Sequence, residues 1–229
     1  IEVRIPDLLT PLILVKNQKA AIIGAQNPSV YQRLITQSAD NEYKYNAAMY
    51  YYGQKDYNRA LQLFDVLQPV YRGKPRGEEI AYCTAECYYR MKDYNIASHY
   101  YKRYVVNYPF GKRTEFALFR SACCYYLESP NVSLDQADSY TAISEFQSFV
   151  DLYPKSIFVD SANQLIDTLR YKIVEKDFNT CMLYYKMDEF QAAITSFESF
   201  IKENPMDFLT SNYHISHLGI QLATAGDHH

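Results

Sequence analysis

The chain has 229 residues with 23 Lys and Arg against 26 Asp and Glu, a formal net charge of −3. That balance leaves no basic footprint for nucleic acid, and scattered cations such as Arg72, Lys74, Arg76 and Lys112-Arg113 read as a solvated surface. Tyr is abundant (24 residues) and Trp is absent, so bulky packing falls on Tyr and Phe.

From the N-terminus, the stretch from Ile1 to Ala20 is mixed apolar and charged, and its apolar run is too short to span a bilayer. Residues 1–30 are set apart as an N-terminal segment with no assigned role. Residues 31–229 are expected to form one solenoid of about four repeats plus a C-terminal helix.

The repeats announce themselves at Ala48-Met49-Tyr50-Tyr51-Tyr52. The same phrase returns as Ala85-Glu86-Cys87-Tyr88-Tyr89, Ala122-Cys123-Cys124-Tyr125-Tyr126 and Cys181-Met182-Leu183-Tyr184-Tyr185. A small residue is followed three and four positions later by two tyrosines. The small residue lets a partner helix approach, and the tyrosine three positions on fills the space beside that contact. Only the second tyrosine of each pair is expected to be free to face elsewhere.

A turn follows, with Asp56-Tyr57, Asp93-Tyr94 and Glu189-Phe190, whose aromatic is expected to plug the junction. The second helix then presents Ala60, Ala97, Ala142 and Ala193, each followed one turn later by Phe64, Tyr101, Phe146 or Phe197. Pro109, Pro154 and Pro205 stand twelve residues after three of these alanines and suit a helix end. Ala60 has Arg72-Gly73 there instead. The segment from Leu127 to Gln136 has loop composition, and Val159 to Tyr185, free of Gly and Pro, reads as one long helix. The unit matches the tetratricopeptide pattern, whose usual period is about 34 residues. The predicted fold is therefore all-α, a right-handed superhelix of tetratricopeptide-like helix pairs.

Chemistry-bearing motifs are absent. There is no glycine-rich phosphate loop, nucleophile elbow or paired-histidine zinc motif, so no enzyme, cofactor or metal is expected. Cys83 and Cys87 have a helical spacing, but the nearest histidine, His99, falls in the following helix. All five cysteines, with Cys123, Cys124 and Cys181, read as small buried hydrophobes. His214 and His217 are a weak signal, and His228-His229 resemble a tag remnant.

Several stretches go beyond a generic repeat. One runs through Tyr153-Pro154-Lys155-Ser156, Asn163-Gln164-Leu165-Ile166-Asp167-Thr168-Leu169-Arg170 and Val174-Glu175-Lys176 to Leu183-Tyr184-Tyr185-Lys186-Met187. With Ser129-Pro130, Leu134-Asp135-Gln136, Ala142-Ile143 and the segment from Tyr94 to Pro109, it resembles the BamD family, outer-membrane assembly lipoproteins of Gram-negative bacteria. The likeness covers roughly Tyr31 to Pro205. The ends depart from it. No cysteine precedes Cys83, and Ile22-Ile23-Gly24-Ala25 outlines a lipid-attachment box with Ala where Cys belongs. The tail from Asp207 to His229 has room for one more helix, where the family ends in a complete fifth repeat.

First helices of such a scaffold present a face suited to extended peptides. The candidate lining residues are Tyr45, Met49 and Tyr52; Tyr82, Glu86 and Tyr89; and Phe119, Cys123 and Tyr126. The resemblance implies a role at the periplasmic face of the outer membrane, with membrane contact through a lipid anchor that this chain does not carry. It implies unfolded outer-membrane β-barrel clients on the repeats between Tyr43 and Tyr126. It further implies a barrel-shaped assembly protein on Val159 to Pro205, with other assembly lipoproteins as further partners. A general tetratricopeptide adaptor shares these features apart from the order of phrases. An enzyme on a helical solenoid ranks last.

Overall fold

The computed structural model describes residues 40–204. The expectations for residues 1–30, for Pro205, for the tail and for its histidines lie outside them. Among the described residues every regular element is an α-helix. They are α1 (Asn41–Gly53), α2 (Tyr57–Tyr71), α3 (Pro75–Arg90), α4 (Tyr94–Asn107), α5 (Thr114–Glu128), α6 (Ala137–Leu152), α7 (Val159–Lys186) and α8 (Phe190–Glu203). Each packs on its neighbour in sequence, α1 to α5 within one compact unit and α6 to α8 within a second that starts at Ser129. The fold is the all-α, tetratricopeptide-like pairing that the repeats predict.

The small residues do what their positions require. Ala48, Ala85 and Ala122 of the first helices are fully buried, as are Ala60, Ala97 and Ala142 of the second, while Cys181 and Ala193 are nearly so. Phe64, Tyr101 and Phe146 sit one turn on with no exposed surface. A further turn brings Leu67, Tyr104 and Phe149 into the same interior, completing an apolar stripe along each helix.

The recurring tyrosine pair has a backbone role that the sequence conceals. Lys55, Lys92 and Asp188 adopt left-handed φ values of 62°, 67° and 60°. Their amides donate to the carbonyls of Tyr52, Tyr89 and Tyr185, at 3.0, 3.1 and 3.2 Å. The next amides, of Asp56, Asp93 and Glu189, donate to Tyr51, Tyr88 and Tyr184 at 2.9, 3.0 and 3.1 Å. This double closure is a Schellman motif, which satisfies carbonyls that a helix end otherwise leaves bare. The turn aromatic then lies edge-on against the second tyrosine. Tyr57 meets Tyr52 at 6.1 Å, Tyr94 meets Tyr89 at 5.5 Å, and Phe190 meets Tyr185 at 5.9 Å between centroids. The second tyrosine is thus not free, as the sequence reading has it, but clamped by its own turn.

Second helices end on one recurring geometry. Tyr108, Tyr153 and Asn204, each just ahead of a proline, leave the helical region with φ between −133° and −118° and ψ between 61° and 77°. In α2 the proline falls inside the last turn, at Pro69, and Gly73 makes the exit with φ 74°. The chain doubles back tightly enough that a side chain on the buried Gly77 would collide with the Tyr71 carbonyl.

The insertion starts later than its composition predicts, because Leu127 and Glu128 still belong to α5. Loop residues 129–136 are held by the buried Gln136. Its Nε2 donates to the carbonyls of Asn131 at 2.9 Å and Leu134 at 3.0 Å, and its Oε1 accepts from Ser139 at 2.7 Å. Lys172 of α7 adds a 2.7 Å bond to the Ser129 hydroxyl. One amide side chain therefore supplies the partners that a buried loop otherwise lacks.

Two substitutions test this account. Gly77→Ala is expected to cost about 2–3 kcal/mol by overpacking against backbone, measured by urea unfolding. Lys92→Gly is expected to add about 0.5–1 kcal/mol by relieving the left-handed residue, after the entropy of glycine in the unfolded chain is offset.

Candidate peptide-binding face

Helices α1, α3 and α5 repeat at intervals of 37 residues, so Tyr45, Tyr82 and Phe119 occupy equivalent positions. Met49, Glu86 and Cys123 follow one turn on, and Tyr52, Tyr89 and Tyr126 complete the stripe. Tyr45, Met49, Tyr52, Tyr89, Phe119, Cys123 and Tyr126 are half-buried, each keeping some surface in water. Tyr82 and Glu86 are buried, at 9% and 4% exposure. The aromatic residues of α1 and α3 are anchored in the helix packing rather than standing free of it.

Glu86 is the electrostatic centre of this face. Its carboxylate accepts from the Tyr101 hydroxyl at 2.6 Å and from Arg90 Nε at 3.0 Å, with the Tyr82 hydroxyl at 3.5 Å. A terminal nitrogen of Arg120 stands 3.9 Å away. A buried carboxylate persists only when paired and hydrogen-bonded, and these contacts supply both conditions. Burial, followed by the charge of Glu86, drives the Tyr101 hydroxyl far above its ordinary value, so it remains a donor. Burial likewise lifts Tyr82 to about 12.

Arginines cap the rings. Arg76 lies 4.8 Å over Tyr45, Arg113 4.7 Å over Tyr82, and Arg120 4.3 Å over Tyr89 and 4.9 Å over Phe116. The first three pairs are each 31 positions apart in sequence, a cation reaching back to the aromatic of the preceding repeat. Arg76 also pairs with Glu42, and the Tyr45 hydroxyl donates to Glu79. Arg76 and Arg113, read from sequence as solvated surface, are therefore part of the face. The constant aromatic-to-arginine interval is the signal that could have found them.

In the second unit, the junction of α7 and α8 leaves apolar side chains in water: Leu183 (55% exposed), Met187 (61%) and Phe190 (51%). This is the end of the surface that the resemblance assigns to an assembly partner. Among the described residues no helix is long and apolar enough to cross a membrane.

The arrangement of phrase, insertion and long helix has a counterpart among known proteins. The profile of the YfiO family, described as outer membrane lipoprotein, matches residues 37–214. The chain belongs to this family. It is also similar to the outer membrane protein assembly factor BamD of Caulobacter vibrioides, at 26% identity over 97 residues. That match takes in 42% of this chain and 32% of the relative, so it spans about a third of the relative's length.

Cys83, Cys87, Cys124 and Cys181 of this YfiO-family chain are buried, and Cys123 is half-buried. Burial lifts the thiols of Cys83, Cys123 and Cys124 to about 12. An unfolded thiol gives up its proton near 9, whereas the folded one keeps it until about 12. Stability from these groups is thus fully present below pH 9 and is lost as pH rises through that window. Urea midpoints at pH 8 and pH 10.5 are expected to differ, the higher pH being the weaker. Tyr101→Phe leaves the Glu86 carboxylate short of a donor and is expected to cost about 2 kcal/mol, read from the same unfolding curves.

Proposed function

We propose that this chain is a non-enzymatic scaffold of outer-membrane β-barrel protein assembly, working at the periplasmic face of the outer membrane. In this reading the face of α1, α3 and α5 receives signal segments of unfolded barrel proteins. The surface of α7 and α8 docks a barrel-shaped assembly partner, and further assembly lipoproteins join it. Membership of the outer membrane lipoprotein family across residues 37–214 carries the proposal. The printed role of the Caulobacter vibrioides relative, an outer membrane protein assembly factor, supports the process.

The physical character of the two surfaces supports the division of labour. Half-buried Tyr45, Met49, Tyr52, Tyr89, Phe119 and Tyr126 offer apolar area for side-chain anchors of an extended peptide. Buried Tyr82 and Glu86 act from beneath, setting shape and charge. Exposed Leu183, Met187 and Phe190 are large apolar side chains whose burial on a partner is favourable.

Two measurements test the reading. A peptide ending in alternating aromatics is expected to bind the wild-type chain and to lose about tenfold or more in affinity against Tyr52→Ala/Tyr89→Ala. Circular dichroism melting must show that this variant is folded, since both rings also clamp turns. Unchanged affinity would remove the client face. Leu183→Glu/Met187→Glu is expected to abolish co-purification of an outer-membrane barrel from native envelopes while sparing peptide affinity. Retention of the barrel would remove the second docking surface.

A further inference from the structure

Two stretches of the first unit carry cations and no acid. Residues 66–77 contain Arg72, Lys74 and Arg76, and residues 102–114 contain Lys102, Arg103, Lys112 and Arg113. The chain as a whole has a net charge of −3, so this segregation is local. The fold brings the two stretches together. The ends of α2 and α4 border an open cavity of about 340 Å³, whose lining includes Gln68, Arg72, Gly73, Arg103, Asn107 and Tyr108. Arg76, Arg113 and Lys102 are engaged elsewhere, over the rings of Tyr45, Tyr82 and Tyr125. Arg72 and Arg103 have no carboxylate within ion-pair distance among the described residues. Glu78, whose charge reaches the Tyr108 hydroxyl, accepts from Tyr104 at 2.9 Å. A side chain built on Gly73 would meet no atom within 4 Å, so the cavity is open beside the backbone there. Two guanidinium groups with the amides of Gln68 and Asn107 match the oxygens of a phosphate-type anion.

The edge of this cavity is apolar. Val106 is 78% exposed and Phe110 is 101% exposed. Arg103, Val106 and Asn107 share one face of α4, three and four positions apart, which sets Val106 beside the arginine. Phe110 follows in the turn, with Lys112 two residues on. A single exposed apolar side chain is ordinary, whereas two of them beside unpaired cations are not. The combination is that of a membrane-surface contact, in which apolar anchors enter the acyl boundary and cations stay with the head-group phosphates. An acidic peptide would satisfy the arginines but offers Phe110 no apolar phase.

We propose that the corner formed by the ends of α2 and α4 docks on an anionic phospholipid surface. Arg72 and Arg103 hold a head-group phosphate in the cavity, while Val106 and Phe110 enter the acyl boundary. This contact belongs to the folded repeats and needs no lipid attached to the chain. It uses none of the side chains assigned above to client binding, so it stands apart from that reading. Membership of an outer membrane lipoprotein family makes a lipid surface a fitting occupant.

The test is cosedimentation of the 229-residue chain with vesicles of phosphatidylglycerol and phosphatidylethanolamine, and with vesicles of phosphatidylcholine alone. Partitioning onto the second is expected to be about tenfold or more weaker than onto the first. Added salt is expected to weaken binding to the anionic vesicles, because the attracting charges are exposed. Arg72→Gln/Arg103→Gln and, separately, Phe110→Ser are each expected to lose about tenfold in partitioning. The proposal requires both losses. All three positions are exposed, and thermal melting confirms that the variants fold.

Vesicle binding that either variant leaves unchanged overturns the assignment to this corner. Thermal melting in sodium phosphate, against sodium chloride at equal ionic strength, separates a second source of the anion. Stabilisation by phosphate that Arg72→Gln/Arg103→Gln abolishes, without vesicle binding, shows a pocket for the free ion and overturns the membrane contact. Binding of a polyglutamate peptide through the same arginines, with neither vesicle bound, shows a site for acidic polypeptide and overturns it equally.

Discussion

Everything in this fold depends on reversing the chain between two helices in three residues without leaving backbone groups bare. The reversal is achieved by the carbonyls of the tyrosine pair, which accept the two amides that follow a left-handed residue. Because the turn is so short, the second helix starts in a fixed orientation. The alanines of the two helices then face each other at full burial. A longer or looser turn would let the helices drift by a side-chain row, and the small-against-small contact would be lost. The edge-on aromatic pair at each turn resists that drift from the side-chain direction. One short segment thus fixes both backbone satisfaction and packing register.

The same constraint shapes the candidate face. Clamping Tyr52 and Tyr89 by their turn aromatics costs them conformational freedom before any ligand is met. The arginines of the next repeat stack over Tyr45, Tyr82 and Tyr89, so side chains that would otherwise sample many rotamers are preorganised. Preorganisation lowers the entropy lost on binding, which for long side chains is a large part of the cost. At the centre, Glu86 holds Tyr101 and Arg90 in one network, tying α3 to α4 through charge-assisted hydrogen bonds. The face is rigid because the carboxylate at its polar core is satisfied.

Much of this was legible in the sequence, and the reason is periodicity. The buried alanines and the aromatics one turn beyond them recur at fixed offsets, and helical geometry converts such offsets into one packed stripe. The long helix was readable to within a residue, as Val159 to Lys186, because nothing in it breaks a helix. What escaped notice was relational. Arg76, Arg113 and Arg120 look ordinary until one sees that each of them reaches an aromatic of the preceding repeat. Gln136 likewise looks like loop composition, yet its side chain is what makes the loop possible. The role of Lys55, Lys92 and Asp188 was hidden because the left-handed conformation favours Gly, and none of the three is Gly.

The cysteines bear on the proposed compartment. A chain facing the periplasm meets conditions that favour disulfides, and an odd number of free thiols is then a hazard. Reaction requires the thiolate, and here burial works against its formation at Cys83, Cys87, Cys123, Cys124 and Cys181 alike. The residue type that suits a close helix crossing, small and weakly polar, is also one that the crossing protects. Cys181 illustrates this, since it stands where the other repeats have Ala and is nearly fully buried, within 3.1 Å of the Ser196 hydroxyl. Packing that fixes the repeat therefore makes cysteine tolerable in an oxidising setting, and the free thiols do not count against a place at the outer membrane.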